Sequence, residues 1–448
     1  MANVVNVLDI YREWLSDPML DQEMRQELAS IEHDAAEIED RFFKELEFGT
    51  GGMRGVMGAG TNRMNRFTVG KAAQGLASML LSSGDESPSV VIAYDSRHRS
   101  DQFALEAACV LGGNGVKAYV FDGLRPTPEL SFAVRKLKAS AGIMVTASHN
   151  PPEYNGFKVY GSDGGQLVPD EAERLIEYVR GVGSLADIRK KEAGELESEG
   201  LLVRIGERID NDFVETVANV SPRRDMVQAE GGALHIVYTP LHGTGNIPVR
   251  RVLEKAGFTN VDVVPEQELP DGSFPTVKSP NPEEREALHL ALEQAKRTGA
   301  DLVIGTDPDC DRMGVLVKNR DGEYVSLNGN EIGALLLHYL LESLQQSGRL
   351  PANGAMIKTI VTGGLGACIA ERYGLTVYNT LTGFKYIGEK MTRFEQTGEA
   401  AYLFGYEESY GYLAGTHARD KDGVVASMLI AEAALYSKLQ GNTLCDTL

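Results

Sequence analysis

A chain of 448 residues with 42% hydrophobic and 24% charged side chains is too long for one ordinary domain and too apolar for a disordered segment, and its length predicts about three domains. The formal charge of −20 favours solubility and repels nucleic acid, and no run approaches the roughly 18 consecutive apolar residues of a membrane span. The start, MANVVNVLDIYREW, lacks the basic and apolar regions of a secretory leader, and Cys109, Cys310, Cys368 and Cys445 form no CxxC pair, so a cytoplasmic, reducing compartment is expected and a zinc site or disulfide framework is not.

The first 45 or so residues read as acidic amphipathic helix, with Met24, Leu28, Ile31, Ala35, Ile38 and Phe42 at helical spacing. Strands and helices then alternate: VVIAY (90–94) ending at Asp95, a helix from 101 to 111, KAYVFD (117–122) and GIMVTA (142–147). The charged stretch 189–200 reads as a separator. A second block follows, with LHIVYTP (234–240), a helix over 249–256, VDVV (261–264), a helix over 283–297 and DLVIGTD (301–307). A third has a helix over 331–344, MIKTIVT (356–362), TVYNT (376–380), AYLFGY (401–406) and a helix over 423–439. This alternation predicts an α/β protein of three consecutive related domains, 1–205, 206–324 and 325–448, with mixed sheets around a shared cleft.

Three strings carry chemistry. TASHNPPEYNGFKVY (146–160) follows an apolar strand, so Ser148 stands at the carboxyl end where α/β sheets place ligands. Pro151 and Pro152 forbid a helical continuation. Ser148 is a candidate phosphoryl acceptor, with His149 and Lys158 for charge and proton handling. GTDPDCDRMG (305–314) also follows a buried strand. Alternating Asp307, Asp309 and Asp311 can converge, and an all-oxygen donor set suits Mg²⁺; Arg312 would face the phosphate, and the Cys310 thiol is expected to be a small filler. FGTGGMRGVMGAGTNRMN (48–65) offers glycines for close approach to an anion, with Arg54 among them.

Weaker loops add to these. TPLHGTGN (239–246) ends a strand with His242, and TGFKYIG (382–388) holds Gly383 and Lys385. GYEESYGY (405–412) puts Glu407, Glu408 and Ser409 at a strand end, where carboxylates and a hydroxyl suit sugar hydroxyls. ARDKDG (418–423) opens a helix with Lys421 between two aspartates.

Together T-A-S-H-N-P, D-P-D-x-D-R and G-Y-E-E-S resemble the α-D-phosphohexomutases, most closely the bacterial phosphoglucomutase/phosphomannomutase branch, over the whole chain. The resemblance implies phosphoserine at Ser148 and Mg²⁺ on Asp307, Asp309, Asp311 and a phosphoserine oxygen. It matches Arg54, His149, Lys158 and Lys421 to the active-site basic residues. The expected substrate-binding set is Gly383, Lys385, Glu407, Ser409, Arg312 and His242. The implied reaction interconverts glucose 1-phosphate and glucose 6-phosphate through glucose 1,6-bisphosphate, which is also the expected activator. The alternatives are a phosphomannomutase or phosphopentomutase of the same fold, a non-catalytic sugar-phosphate-binding relative, and a metal-dependent phosphatase. Members of the family continue into a fourth domain with an R-x-S-G-T-E-P string that grips the distal phosphate. No such string occurs in these 448 residues, so that domain is expected to be absent and hexose phosphate to be held weakly.

Overall fold

The computed structural model describes residues 7–49 and 51–448; the first six residues of the expected first domain and Thr50 of the glycine-rich string lie outside it. Three mixed sheets follow one another along the chain. The first holds β1 (Phe48–Gly49), β2 (Gly52–Val56), β3 (Ser89–Tyr94), β4 (Lys117–Phe121), β5 (Ala141–Val145), β6 (Tyr154–Gly161) and β7 (Leu202–Ile205) in the order β1-β2-β6-β5-β3-β4-β7. The second holds β8 (Ile236–Thr239), β9 (Val261–Val263), β10 (Leu302–Thr306), β11 (Met313–Lys318) and β12 (Tyr324–Ser326) in the order β12-β11-β10-β8-β9. The third holds β13 (Gly354–Thr359), β14 (Thr376–Thr380), β15 (Ala401–Glu407) and β16 (Gly411–Ala414) in the order β14-β13-β15-β16.

The three sheets share one device. β5, β10 and β15 each pair parallel on one side, then turn back into an antiparallel neighbour: β6, β11 and β16 respectively. The corners of these turns are the Ser148 loop, the Asp307–Asp311 loop and the Glu407–Tyr410 turn. Buried apolar runs supply β5 and β10, as strands with both faces covered require. The helix Gly423–Leu439 is buried along almost its whole length, in an apolar cluster that draws on all three sheets, from Val91 through Ile304 to Phe404. The domains therefore share a core, which fixes their corners relative to one another.

Several local expectations fail for identifiable reasons. The N-terminal helix is three helices, Val7–Ser16, Gln22–Ser30 and Ala35–Phe42. Asp21 and Asp34 each cap a new start by accepting from Met24 N (2.8 Å) and Glu37 N (3.0 Å). Met24, Leu28, Ile38 and Phe42 are buried, but Ala35 is exposed. The charged stretch 189–200 is structured rather than a bare linker: its helix Ala193–Ser198 buries Leu196 and leads into β7 of the first sheet. The helix expected from residue 283 starts at His289. β13 stops at Thr359 because Lys358 Nζ donates to the Thr359 and Thr362 carbonyls (3.0 and 2.9 Å) and curls the chain, leaving Ile360 and Val361 exposed.

The glycine-rich string forms a strand and a helix cap. Residues 53–56 pair with β6. Buried Asn65 caps the helix Arg66–Ser82 and donates through Nδ2 to the carbonyls of Gly58 (3.0 Å), Gly60 (2.9 Å) and Arg63 (3.3 Å). Asn65→Ala removes the cap and these buried bonds together, so a loss of about 2–4 kcal/mol is expected, readable as a lower melting temperature.

Candidate active site

The three corners meet. Ser148 is buried in the left-handed region at φ +51°, and its Oγ donates to Asp307 Oδ2 at 2.6 Å, with His149 Nδ1 at 3.3 Å. A non-glycine residue at positive φ is strained, and such strain persists only where surrounding contacts impose it. The imposing contacts start at the end of β3. Asp95 accepts from Thr146 Oγ1 (2.6 Å), Ser100 Oγ (2.7 Å) and Arg97 N (3.0 Å), and Thr146 Oγ1 in turn receives Ser148 N at 2.8 Å. Arg97 donates to carbonyls of the same loop. At Gly156 on β6 an added Cβ would lie 2.4 Å from Thr146 O, so only glycine lets that strand pass beneath the loop.

On the second sheet, Asp307 Oδ1 accepts the backbone N–H groups of Asp311 (3.1 Å) and Arg312 (3.0 Å). Asp309 Oδ2 accepts from Lys158 Nζ (2.9 Å) and Thr127 Oγ1 (3.0 Å). Asp311 Oδ2 lies 3.1 Å from Lys421 Nζ and 3.7 Å from Lys158 Nζ. Thr127 N also bonds the Asp309 carbonyl at 2.9 Å, which aims the amino end of the helix Thr127–Leu137 and its positive dipole at the acidic loop. The three carboxylates offer ligand oxygens within 4.8 Å of one another. Among the described residues, Asp309 Oδ1 and Asp311 Oδ1 are buried without a hydrogen-bond partner. Burial, then Asp309 and Asp311, push the Asp307 carboxyl well above its usual range. Hard oxygen donors, unpartnered buried carboxylate oxygens and mutual repulsion together fit a divalent cation.

Four cations lie on or beside the serine and aspartate loops. Arg54 on β2 is exposed and bonds Asn150 Oδ1 at 2.8 Å. Lys158 is buried on β6, and Arg312 is paired with Glu283. Burial lowers the Lys421 pKa, but Asp311, Asp420 and Glu407 outweigh it and hold the ammonium charged. An added Cβ at Gly411 would lie 2.1 Å from Lys421 Cδ, so β16 needs glycine there to admit that side chain. Tyr160 Oη donates to Asp420 Oδ2 at 2.8 Å, tying the Lys421 loop to the first sheet. The His149 pKa falls to about 3, through burial first and then Arg312 and Arg54, so the ring is neutral at pH 7.

Glu407 ends β15 and accepts Gly383 N at 2.8 Å, which joins the two loops expected to meet a sugar; Gly383 itself has φ +112°. Ser409 is partly exposed in the same turn. Glu408 instead accepts from Thr362 Oγ1 at 2.8 Å and holds the curl after β13. Lys385 is partly buried and lines a groove with Asp163, Glu171 and Arg393. His242 does not reach the cluster: it is 2% exposed, with Nδ1 3.2 Å from Leu269 O and Nε2 2.9 Å from Thr276 Oγ1. A neutral ring satisfies both, donating from Nδ1 and accepting at Nε2. Cys310 is buried at φ +52° with its thiol pKa raised by burial, as a filler would be. Asp95, Arg97 and Thr127 lie outside the site residues that the sequence motifs single out. Their signals are slight: an Asp-x-Arg after a buried strand and a Pro-flanked threonine at a helix start.

Family models for the phosphoglucomutase/phosphomannomutase α/β/α domains I, II and III match residues 45–184, 211–322 and 328–448. The phosphoglucomutase of Staphylococcus haemolyticus is 42% identical over 410 residues, covering 92% of this chain and 72% of that protein. That of Staphylococcus epidermidis is 41% identical over 406 residues, covering 90% and 71%. A Thermus thermophilus structure described as a phosphomannomutase superposes with a TM-score of 0.73 at 26% identity, covering 90% of this chain and 82% of that one.

Proposed function

Since the chain belongs to the phosphoglucomutase/phosphomannomutase family, we propose that it interconverts glucose 1-phosphate and glucose 6-phosphate through phosphorylated Ser148, with glucose 1,6-bisphosphate as intermediate and activator. The observation that carries this reading is the 2.6 Å contact from Ser148 Oγ to Asp307 Oδ2, beside Lys158 and Lys421, which pair with Asp309 and Asp311. A phosphoryl acceptor, a cation site and positive charge thus occupy one point of a molecule whose net charge is −20.

Asp307, Asp309, Asp311 and a Ser148 oxygen would hold Mg²⁺, which supplies neutralisation of phosphoryl charge when bound. The chain's own residues do the rest. In the first half-reaction a sugar hydroxyl forms a bond to phosphorus as the Ser148 Oγ–P bond breaks, and the proton that hydroxyl gives up is balanced by the one Oγ takes up as it leaves. In the second, Oγ takes back the other phosphoryl group. Its proton then has two acceptors within reach, Asp307 Oδ2 and the neutral His149 Nδ1. Arg54, Lys158, Arg312 and Lys421 stabilise the charge spread over the transferring group, and positioning with charge neutralisation carries most of the catalysis of phosphoryl transfer. Glu407, Ser409 and the Gly383 loop face the sugar, whose bisphosphate must bind in two poses.

Conversion of glucose 1-phosphate in a coupled assay, dependent on added Mg²⁺ and stimulated by the bisphosphate, is the expected result. Slower turnover with mannose and ribose phosphates is expected beside it; faster turnover with either would reassign the sugar, and none with any would refute the proposal. Lys421→Met is expected to lower kcat by about 10²–10³-fold, as loss of one preorganised charge-stabilising group does, measured in the same assay. The substrates are soluble sugar phosphates, and we place their conversion in the cytoplasm; among the described residues no helix is long and apolar enough to cross a membrane.

A further inference from the structure

We infer that Arg97 is the residue that positions Ser148, and that the second domain sets this position through a clasp made by residues 269–279. The inference rests on the phosphoserine reading above. The Arg97 guanidinium is buried. It donates to the carbonyls of Ser148 (2.6 Å), Pro151 (2.8 Å) and Tyr154 (3.0 Å), and also to that of Asn150. One planar fork thus fixes the backbone on both sides of the strained serine, and Asp95 Oδ2 at 3.4 Å from Nε balances its charge. A carbonyl-bound guanidinium offers nothing to substrate, so its effect on the reaction runs through where Oγ stands.

The other face of Arg97 belongs to the second domain. Phe274 is buried at φ +45°, and its ring centroid lies 5.0 Å from the guanidinium carbon, a cation–π distance. His242 holds this segment at Leu269 O and Thr276 Oγ1 and lies against the Phe274 ring, with centroids 6.5 Å apart. Two further bonds close the clasp: Ser279 Oγ donates to the His149 carbonyl at 2.8 Å, and Ser273 Oγ lies 2.8 Å from His98 Nε2. The same domain carries Asp307, Asp309 and Asp311. The clasp therefore sets the serine in register with the aspartates it must meet, and it gives the strand-end His242 a role away from substrate.

The test compares Arg97→Lys and Phe274→Leu with wild type in the mutase assay, alongside Mg²⁺ titration and thermal melting. Lysine keeps the charge but presents a point of donors in place of a fork, so it cannot span four carbonyls. Arg97→Lys is expected to lower kcat by about 100-fold, the effect of an ångström-scale misplacement, with KM changed less than about threefold and Mg²⁺ affinity falling by less than kcat, since the three aspartates stay in place. Phe274→Leu keeps the Arg97 hydrogen bonds and is expected to lower kcat by about tenfold at constant KM. Wild-type kcat in a folded Phe274→Leu protein would overturn the clasp, and wild-type kcat in Arg97→Lys would overturn the positioning role. A loss of kcat matched by equal losses of Mg²⁺ affinity and melting temperature would make both residues merely structural. If Arg97→Lys does not fold, Phe274→Leu decides alone. Absence of turnover in wild type would refute the proposed function instead, and so is distinct from each of these.

Discussion

Ser148→Ala is expected to abolish mutase turnover in a protein that still folds. The serine hydroxyl makes one short bond, to Asp307 Oδ2, and its loss removes the atom that carries the phosphoryl group between the two half-reactions. The neighbouring hydroxyl cannot substitute: Thr146 Oγ1 is buried and committed to Asp95 and Ser148 N. Alanine also adopts positive φ at a cost, but the Asp95–Thr146–Arg97 contacts that impose this conformation are all with backbone or with one another. They survive the change. Loss of a covalent nucleophile leaves only what binding and charge supply, so a fall of at least about 10⁴-fold in kcat is expected. Steady-state assay with melting temperature as the folding control checks it, and turnover within tenfold of wild type would remove Ser148 from the mechanism.

Asp309→Asn is expected to have the next largest effect. Asparagine keeps the shape and can still meet Thr127 and Lys158, but it offers the cation one neutral oxygen in place of a carboxylate. Asp309 Oδ1 is buried with no hydrogen-bond partner among the described residues, the condition of an oxygen reserved for a ligand. Outer-shell substitutions around metals cost 10–100-fold in affinity, and a direct ligand should exceed that, so Mg²⁺ affinity is expected to fall by at least about 100-fold. Calorimetric titration reads the affinity, and activity should vanish in excess chelator for the wild type. Activity that persists in chelator would show that the three carboxylates serve packing alone.

The parts of the site that were legible in the sequence are contiguous strings set directly after apolar strands. Ser148 and the three aspartates could be placed because a buried parallel strand delivers its next residues to the cleft whatever the rest of the chain does. What stayed hidden depends on contacts between distant segments. His242 stands at a strand end as Ser148 does, yet both its nitrogens are taken by residues 269 and 276, and spacing cannot reveal that. Arg97 works through backbone carbonyls, which carry no residue identity and so leave no motif in the loop they hold. The packing roles of Gly52, Gly58 and Gly60, which sit at positive φ against neighbouring chain, leave no mark in the string, because permissive backbone and close packing call for the same residue as approach to an anion. The helix break at 31–34 turns on a single capping side chain, Asp34, which an apolar periodicity passes over.

Phosphorylation of Ser148 is read most directly by one measurement: the intact mass of the protein before and after incubation with glucose 1,6-bisphosphate and Mg²⁺. The expected result is a gain of one phosphoryl group, located on Ser148 by peptide fragmentation, lost again on addition of glucose 1-phosphate or glucose 6-phosphate, and absent from Ser148→Ala. An unchanged mass in a preparation that turns over substrate, or a phosphoryl group on any other residue, would contradict it.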